Sequence, residues 1–151
     1  MEIVNLKSNE TLFKEYIWLC HEEWGSSSVL EKEKFIKEKI KKLQLENYDK
    51  LILVLGLVEC NQLIGFISLF KTDGEERQDL TPWYSTMYVK KEYRGKGYSK
   101  ILNDALLDTA KKLGYKKVYL KSNLKNYYEK FKANYIETLQ NGESLFYIDL
   151  F

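Results

Sequence analysis

The sequence predicts a single α/β domain with a mixed, mostly antiparallel sheet of about seven strands and helices on both faces. Strand-like and helix-like patterns alternate along the 151 residues without an internal repeat, and 44% of the residues are hydrophobic, which suits one continuous core. A loop containing Gly95 and Gly97 joins an apolar strand pattern to an amphipathic helix, as in a crossover between parallel strands. We therefore expect one domain over residues 1–151.

The first part of the chain predicts a strand followed by two helices. Residues 2–6 alternate as a short strand, and Ser8 or Asn9 can cap a helix that ends near Gly25. Residues 28–31 have the spacing of a capping box, which predicts the start of the second helix. Its apolar stripe consists of Leu30, Phe35, Ile36, Ile40 and Leu43.

The middle of the chain predicts a hairpin and a central strand. Residues 51–60 and 63–71 are rich in aliphatic and β-branched side chains, and Asn61 and Gln62 can form the turn between them. Residues 72–78 are polar and predict an exposed loop, and residues 83–89 predict the next strand.

The last part of the chain predicts a crossover helix and a second hairpin. Residues 97–113 place apolar side chains on one helix face, and Gly114 is suited to end that helix. Asn141 and Gly142 between two strand patterns are a strong hairpin signal. The remaining predicted elements are a strand at 116–120, a helix at 124–133, and strands at 135–139 and 145–150. The strands at 83–89 and 116–120 should run parallel.

Composition and charge indicate the cellular compartment and the classes of partner to expect. A net charge of +2 gives no reason to expect nucleic acid or a membrane surface as partner. Cys20 and Cys60 are too few for a disulfide scaffold, so we expect two buried thiols in a reducing compartment. The apolar run at 51–58 is too short to span a membrane, and residues 1–6 do not resemble a signal sequence, which predicts a cytoplasmic protein.

The glycine loop predicts an anion site at the start of a helix. Gly95 and Gly97 let the backbone bring its N–H groups close to a phosphate, and the helix dipole adds positive charge. A dinucleotide loop would need a third glycine where Lys100 stands, and the Walker spacing is absent. A plain connection between strand and helix remains the alternative.

The stretch resembles the acetyl-CoA loop of the GCN5-related N-acetyltransferase family, in which Gln or Arg is followed by Gly three positions later and by Gly or Ala two positions after that. Arg94, Gly97 and Ser99 occupy those positions, with Ser99 departing from the family's Gly or Ala. The resemblance implies acetyl-CoA as the donor, with the diphosphate on this loop, the pantetheine arm on the preceding strand, and no metal. The cofactor-binding residues it implies are Met87, Tyr88, Val89, Arg94, Gly95, Lys96, Gly97, Tyr98, Ser99 and Asn123.

A second segment carries the resemblance and nominates a catalytic acid. Residues 127–131 resemble the family's Leu-Tyr-Glu-Lys-Leu segment, which implies that Tyr128 protonates the leaving thiolate. A buried core tyrosine is the alternative. The family places Gly immediately after this segment, whereas this chain has Lys132, so we expect Asn134 to end the helix in a left-handed turn.

The acceptor is less defined. The amine needs a base, for which Glu22, Glu23 and Asp79 are candidates and Glu23 is our choice; His21 is interpreted as a surface residue. Residues 79–83 and 23–25 resemble a bacterial subgroup of these acetyltransferases. The residues expected to line the acceptor pocket are Glu22, Trp24, Trp83 and Tyr84.

The function predicted from the resemblance is therefore transfer of an acetyl group to a primary amine of a small molecule or peptide, by a monomer or homodimer. One alternative is a degenerate module that binds acyl-CoA without transferring the acyl group. A nucleic-acid-binding module is the other, since lysines alternate with aromatic residues between Lys111 and Lys132.

Overall fold

The computed structural model describes residues 1–25, 28–45, 50–124 and 126–151. The strands are β1 (Glu2–Asn5), β2 (Leu51–Glu59), β3 (Gln62–Phe70), β4 (Trp83–Val89), β5 (Lys117–Ser122), β6 (Asn134–Thr138) and β7 (Ser144–Asp149), and the helices are α1 (Glu10–Trp24), α2 (Lys32–Leu45) and α3 (Tyr98–Lys112). They form one sheet in the order β1-β2-β3-β4-β5-β7-β6, in which β4 and β5 are parallel and the other neighbours are antiparallel. The predicted fold class is confirmed.

Helices cover both faces of the sheet, and alternate side chains of the inner strands feed the two cores. Leu102 of α3 packs in the same cluster as Leu55 of β2, whereas Phe13 of α1 packs in the other cluster with Val54. Because successive side chains of a strand point to opposite faces, β2 reads as a continuous apolar run. That run is what the sequence shows at 51–58.

The helix starts differ in how well the sequence predicts them. Asn9 caps α1, since its Oδ1 accepts a hydrogen bond from the Leu12 amide at 3.0 Å. The predicted capping box at 28–31 does not open α2, which begins at Lys32, with Glu31 accepting the first backbone hydrogen bond from Phe35. Leu30, predicted to belong to the apolar stripe, lies outside the helix and is fully exposed.

Both predicted hairpins form, and the first turn is shifted by one residue. Cys60 and Asn61 have φ values of 51° and 60° and occupy the turn between β2 and β3. Cys60 is consequently exposed and Cys20 is partly buried, so the prediction of two buried thiols is wrong for Cys60. The second turn contains Asn141 and Gly142 as predicted, and the Gly142 amide donates to the Leu139 carbonyl at 3.0 Å.

The segment between β5 and β6 differs from the helix predicted at 124–133. It contains a single 3-10 turn, Tyr128–Phe131, after which Lys132 adopts a left-handed φ of 66°. Lys132 donates its amide to Glu129 at 2.9 Å, which closes the turn where the family has glycine, so the expectation for Asn134 was wrong. Asn134 instead begins β6. Lys125 lies outside the described residues.

Candidate active site

The two central strands, β4 and β5, diverge after the first residue of β4. β4 and β5 share one paired position, Trp83 with Tyr119, and the Tyr119 amide donates to the Pro82 carbonyl at 3.0 Å. From Ser85 to Val89, β4 pairs with β3 on one edge but with no described strand on the other. The backbone of this edge is therefore open to an extended ligand.

A β-bulge at Thr86 bends β4 at the opening. Ser68 pairs with Ser85 and Phe66 pairs with Tyr88, so two residues of β4 face one residue of β3. Thr86 has a φ of 52°, a strained value for a β-branched residue, and its Oγ1 is buried without a hydrogen-bond partner in the part of the chain that the structure describes. The bulge separates Ser85 and Thr86 from the edge formed by Met87, Tyr88 and Val89.

The glycine loop presents an uncovered backbone at the start of α3. Gly95 and Gly97 have φ values of 78° and 82°, and a Cβ added at either position would meet no atom within 4 Å. Gly97 is the N-cap of the 15-residue helix α3, whose first turn carries no acidic side chain. The space around both glycines is therefore open, and the positive end of the helix dipole beside it suits an anion.

Two cations remain at this loop. Arg94 donates from Nε to the Val89 carbonyl at 2.7 Å, and the Lys96 ammonium lies 5.7 Å from the centre of the Tyr93 ring. Lys90 and Lys100 are engaged instead with Glu15 and Asp104, at 3.0 and 2.7 Å. Arg94 lines the cavity described next, whereas Lys96 lies in the loop outside its lining, so Arg94 is the loop cation best placed for a phosphate group.

The loop, the open edge of β4 and the Tyr128 turn enclose a cavity of about 400 Å³, which we call the loop cavity. It brings together many residues that lie far apart in the sequence. Lys96, Gly97 and Asn123 are predicted cofactor residues that do not line it, and Asn123 is exposed. The lining residues are Glu23, Trp24, Met87, Tyr88, Val89, Tyr93, Arg94, Gly95, Tyr98, Ser99, Leu124, Tyr127, Tyr128 and Lys130.

Aromatic neighbours hold the ring of Tyr128 in place. Its ring lies edge-on to Tyr84 at 6.1 Å and to Tyr127 at 4.8 Å between centroids. The hydroxyl makes no hydrogen bond within the described residues, and burial, with a smaller contribution from Tyr127, raises the pKa of Tyr128 to about 12. The phenol is thus protonated at neutral pH and free to donate.

Trp83 and Tyr84 belong to the core instead of a pocket. Trp83 is fully buried with Leu139 and Leu145, and its Nε1 donates to the Leu80 carbonyl at 2.9 Å. Tyr84 is 3% exposed and supports the ring of Tyr128. Neither residue lines the loop cavity or the second cavity described below.

A second cavity of about 530 Å³, the helix cavity, lies beside the bulge between α1, α2 and the loop that precedes β4. Ser85 and Thr86 form its wall on β4, and Trp24 lines both cavities. The sequence did not predict this cavity, because its walls come from five segments that lie apart in the chain, at 16–25, 35–43, 50–51, 70–73 and 85–86. Other lining residues are Tyr16, Cys20, His21, Phe35, Lys39, Lys42, Lys50, Phe70 and Asp73.

Of four carboxylates considered for the base, one lines each cavity and two line neither. Glu23 is exposed and lines the loop cavity, whereas Glu22 lines neither. Asp79 also lines neither; Arg77 binds it at 3.0 Å and lowers the pKa of its exposed carboxyl. Asp73, which the sequence analysis placed in a polar loop without a role, lines the helix cavity and accepts from the Ser85 hydroxyl at 3.3 Å.

Buried acids near the bulge predict a loss of stability in alkali. Burial raises the pKa of Cys20 to about 12 and raises that of Tyr16, whose hydroxyl lies 3.0 Å from Ser68 Oγ. A raised folded-state pKa gives stability that is complete below the unfolded pKa and declines as the pH rises toward the folded one. We expect the free energy of unfolding to fall above about pH 9, and Tyr16→Phe to remove about 1 kcal/mol of that fall at pH 10.5.

Urea denaturation at pH 8.0 and 10.5 measures this difference. Tyr135→Phe is the matched control, because Tyr135 is 58% exposed. The expectation fails if both variants lose stability between the two pH values as the parent protein does.

None of the helices in the described part of the chain is long and apolar enough to cross a membrane. In the same ranges, no group of three or more His, Cys, Asp or Glu side chains is arranged to hold a metal ion.

Solved structures share this architecture. The chain is similar to an N-acetyltransferase from Staphylococcus aureus Mu50, with a TM-score of 0.73, 18% identity, and coverage of 99% of this chain and 98% of that one. It is also similar to an aminoglycoside 6'-N-acetyltransferase complexed with coenzyme A, with a TM-score of 0.72, 15% identity, and coverage of 100% of this chain and 98% of that one. A ribosomal-protein-alanine N-acetyltransferase from Brucella melitensis has a TM-score of 0.71 and 16% identity, with coverage of 99% of each chain. At these identities the likeness shows the fold.

Sequence comparison gives the family. A comparison with curated proteins found no match. The model of the acetyltransferase (GNAT) family matches residues 10–132, which include the glycine loop, the open edge of β4 and Tyr128. The resemblance stated from the sequence is thereby confirmed, and the protein belongs to the GNAT family of acetyltransferases.

Proposed function

We propose that this protein transfers the acetyl group of acetyl-CoA directly to a primary amine. One observation carries the proposal: the open edge of β4, the uncovered glycine loop and the unpaired Tyr128 hydroxyl surround a single cavity of about 400 Å³. Each feature is common on its own, but their convergence suits a ligand that has a diphosphate, an extended amide-bearing arm and a reactive thioester.

The residues present fit coenzyme A in a defined order. The amides of residues 95–99 and the N-terminus of α3 bind the diphosphate, assisted by Arg94 and Lys96. The edge of β4 from Met87 to Val89 pairs with the pantetheine amides as an added strand would. Asn123 is exposed outside the cavity, and we give it no role.

Acetyl-CoA supplies an activated carbonyl, and the chain supplies the groups around it. A backbone N–H of residues 87–89 stabilises the negative charge that develops on the carbonyl oxygen as the C–N bond forms. Tyr128 donates its proton to sulfur as the C–S bond breaks and recovers a proton from solvent. A carboxylate takes the first proton from the ammonium ion and passes it to solvent, which frees the amine to attack. The nitrogen loses a second proton after the C–N bond forms, and this proton offsets the one that Tyr128 gives to sulfur, so charge and protons balance.

Two carboxylates compete for the amine proton. Glu23, chosen from the sequence, lies on the loop-cavity side, whereas Asp73 lies in the helix cavity beside Ser85. Because the amine approaches from the side opposite the coenzyme, we propose Asp73 as the group that binds and deprotonates it. Asp73→Asn is expected to lower kcat/KM about 100-fold and Glu23→Gln less than about threefold.

Steady-state kinetics from pH 6 to 10 measure both variants and show which of them loses the acidic limb of the pH profile. A larger loss in Glu23→Gln would return the role of base to Glu23.

The proposed function is tested by two measurements on the parent protein. Titration calorimetry with coenzyme A should show binding at one site, and free thiol should be released from acetyl-CoA when an amine is added. Binding without thiol release across a broad amine panel would favour a degenerate module. Binding to oligonucleotides but not to coenzyme A would favour the nucleic-acid reading.

The acceptor of this protein cannot be inferred from the acceptors of the similar structures. One similar structure is named for an aminoglycoside and another for the alanine of a ribosomal protein, at 15% and 16% identity. The same fold therefore serves unlike amines, and the acceptor has to be argued from the walls of the helix cavity.

A further inference from the structure

The helix cavity carries an excess of positive charge. Lys39 and Lys42 of α2 and Lys50, just before β2, line it together with His21. Asp73 is the only carboxylate among the lining residues that the structure describes. An amine-binding pocket would ordinarily favour negative charge, since its ligand is an ammonium ion in water.

The lysines are available to a ligand, whereas Asp73 is held in place. Lys39, Lys42 and Lys50 form no ion pair within the described ranges. The Lys121 ammonium donates to the Asp73 backbone carbonyl at 2.8 Å and lies 4.0 Å from Asp73 Oδ1, and the Ser85 hydroxyl donates to Asp73 Oδ2 at 3.3 Å. The carboxylate is thus oriented beside the bulge of β4.

The two kinds of charge come from different walls. Asp73 stands with Ser85 and Thr86 on the β4 side, while Lys39 and Lys42 stand on the side of α2. Lys39 lies close enough to Cys20, in the α1 wall, to act on the thiol electrostatically and oppose the effect of burial on its pKa. The cavity is also lined by the apolar side chains of Ile17, Trp24, Phe35, Leu43, Leu51 and Phe70.

We propose that the acceptor is a small primary amine that also carries an acidic group, a carboxylate or a phosphate. Its ammonium binds Asp73 next to the thioester, and its acid binds Lys39 and Lys42, with Lys50 adding charge. This inference rests on the proposed acetyl transfer. A polycation such as an aminoglycoside would place several ammonium groups against these lysines, which disfavours it as the acceptor.

The first test compares matched amines in the thiol-release assay. An ω-amino acid is paired with its methylamide, and an aminoalkyl phosphate with its dimethyl ester, an uncharged phosphate triester. A polyamine serves as the cationic comparison. The acid-bearing member of at least one pair should have a kcat/KM about tenfold higher, and this advantage should shrink in 0.5 M salt. The pair with the larger ratio identifies the acid as carboxylate or phosphate.

The second test removes the charge from the cavity wall. Lys39→Met/Lys42→Met should raise KM for the preferred acid-bearing amine about tenfold, with kcat and the neutral partner's kinetics nearly unchanged. Lys37→Met/Lys41→Met is the matched control, since both side chains are exposed on the same helix and line neither cavity. A merely structural role would alter kcat and both amines together.

The outcomes separate this inference from the proposed function. Thiol release that is equally fast with neutral amines or with the polyamine overturns the acidic acceptor and leaves acetyl transfer standing. An equal rise in KM in the two double variants overturns it as well. Failure to bind coenzyme A, or to release thiol with any amine, overturns both.

Discussion

Replacing Tyr128 by Phe is expected to lower kcat about 100-fold while leaving the affinity for coenzyme A within about twofold. The hydroxyl makes no hydrogen bond within the described residues, so its removal leaves no buried partner unpaired. The ring, which packs against Tyr84 and Tyr127, is retained. The loss therefore reports proton donation to sulfur and not a change of fold.

The pKa of Tyr128 adds a second signature. With a pKa of about 12, the phenol stays protonated through pH 10, so kcat should show no alkaline limb from Tyr128 in that range. Burial raises the pKa of Tyr128 and would equally raise the pKa of the coenzyme A thiol beside it, so the difference between the two pKa values stays small. Stopped-flow and steady-state thiol release between pH 7 and 10 measure both quantities.

Tyr127→Phe is the control for this result. Tyr127 lines the same cavity and its ring centre lies 4.8 Å from that of Tyr128. We expect its kcat within about threefold of the parent. Equal losses in the two variants would mean that the aromatic cluster, and not one hydroxyl, is what matters.

What the sequence predicts well is local. The continuous apolar runs of β2 and β3, the Asn141–Gly142 turn and the glycine before α3 each depend on neighbouring residues, and each forms as expected. The parallel pair β4 and β5 followed from the crossover helix between them. The loop cavity could be anticipated for the same reason, because its main parts are two short segments at the ends of these elements.

The helix cavity could not be anticipated, because it depends on contacts between distant segments. Asp73 acquires its place through Ser85 and Lys121, and Lys39 through the packing of α2 beside α1. The sequence pattern alone could not show whether Trp83 lies in a cavity or in the core. Its position depends on where strands β4 and β5 separate, and it lies at their one paired position, fully buried. The prediction that Asn134 ends the helix was wrong for another reason. Lys132 adopts the left-handed backbone conformation that usually favours glycine.

A substitution in the glycine loop should affect both coenzyme A binding and backbone strain, and the two effects can be measured separately. Gly97→Ala is expected to raise the Kd for coenzyme A at least about tenfold, or about 1.4 kcal/mol, because the added Cβ enters the open space assigned to the diphosphate. At a φ of 82° it should also lower the free energy of unfolding by about 1–2 kcal/mol. Calorimetry and urea denaturation measure the two effects independently.

Gly142→Ala isolates the strain, because Gly142 has a φ of 90°, open space around its Cβ position and a place in the β6–β7 turn, away from both cavities. Both variants should lose similar stability, and only Gly97→Ala should lose affinity for coenzyme A. Pantetheine, which lacks the diphosphate, should bind the parent and Gly97→Ala equally. If pantetheine weakens as much as coenzyme A does, the loop acts by shaping the whole cavity, and the diphosphate does not rest on these amides.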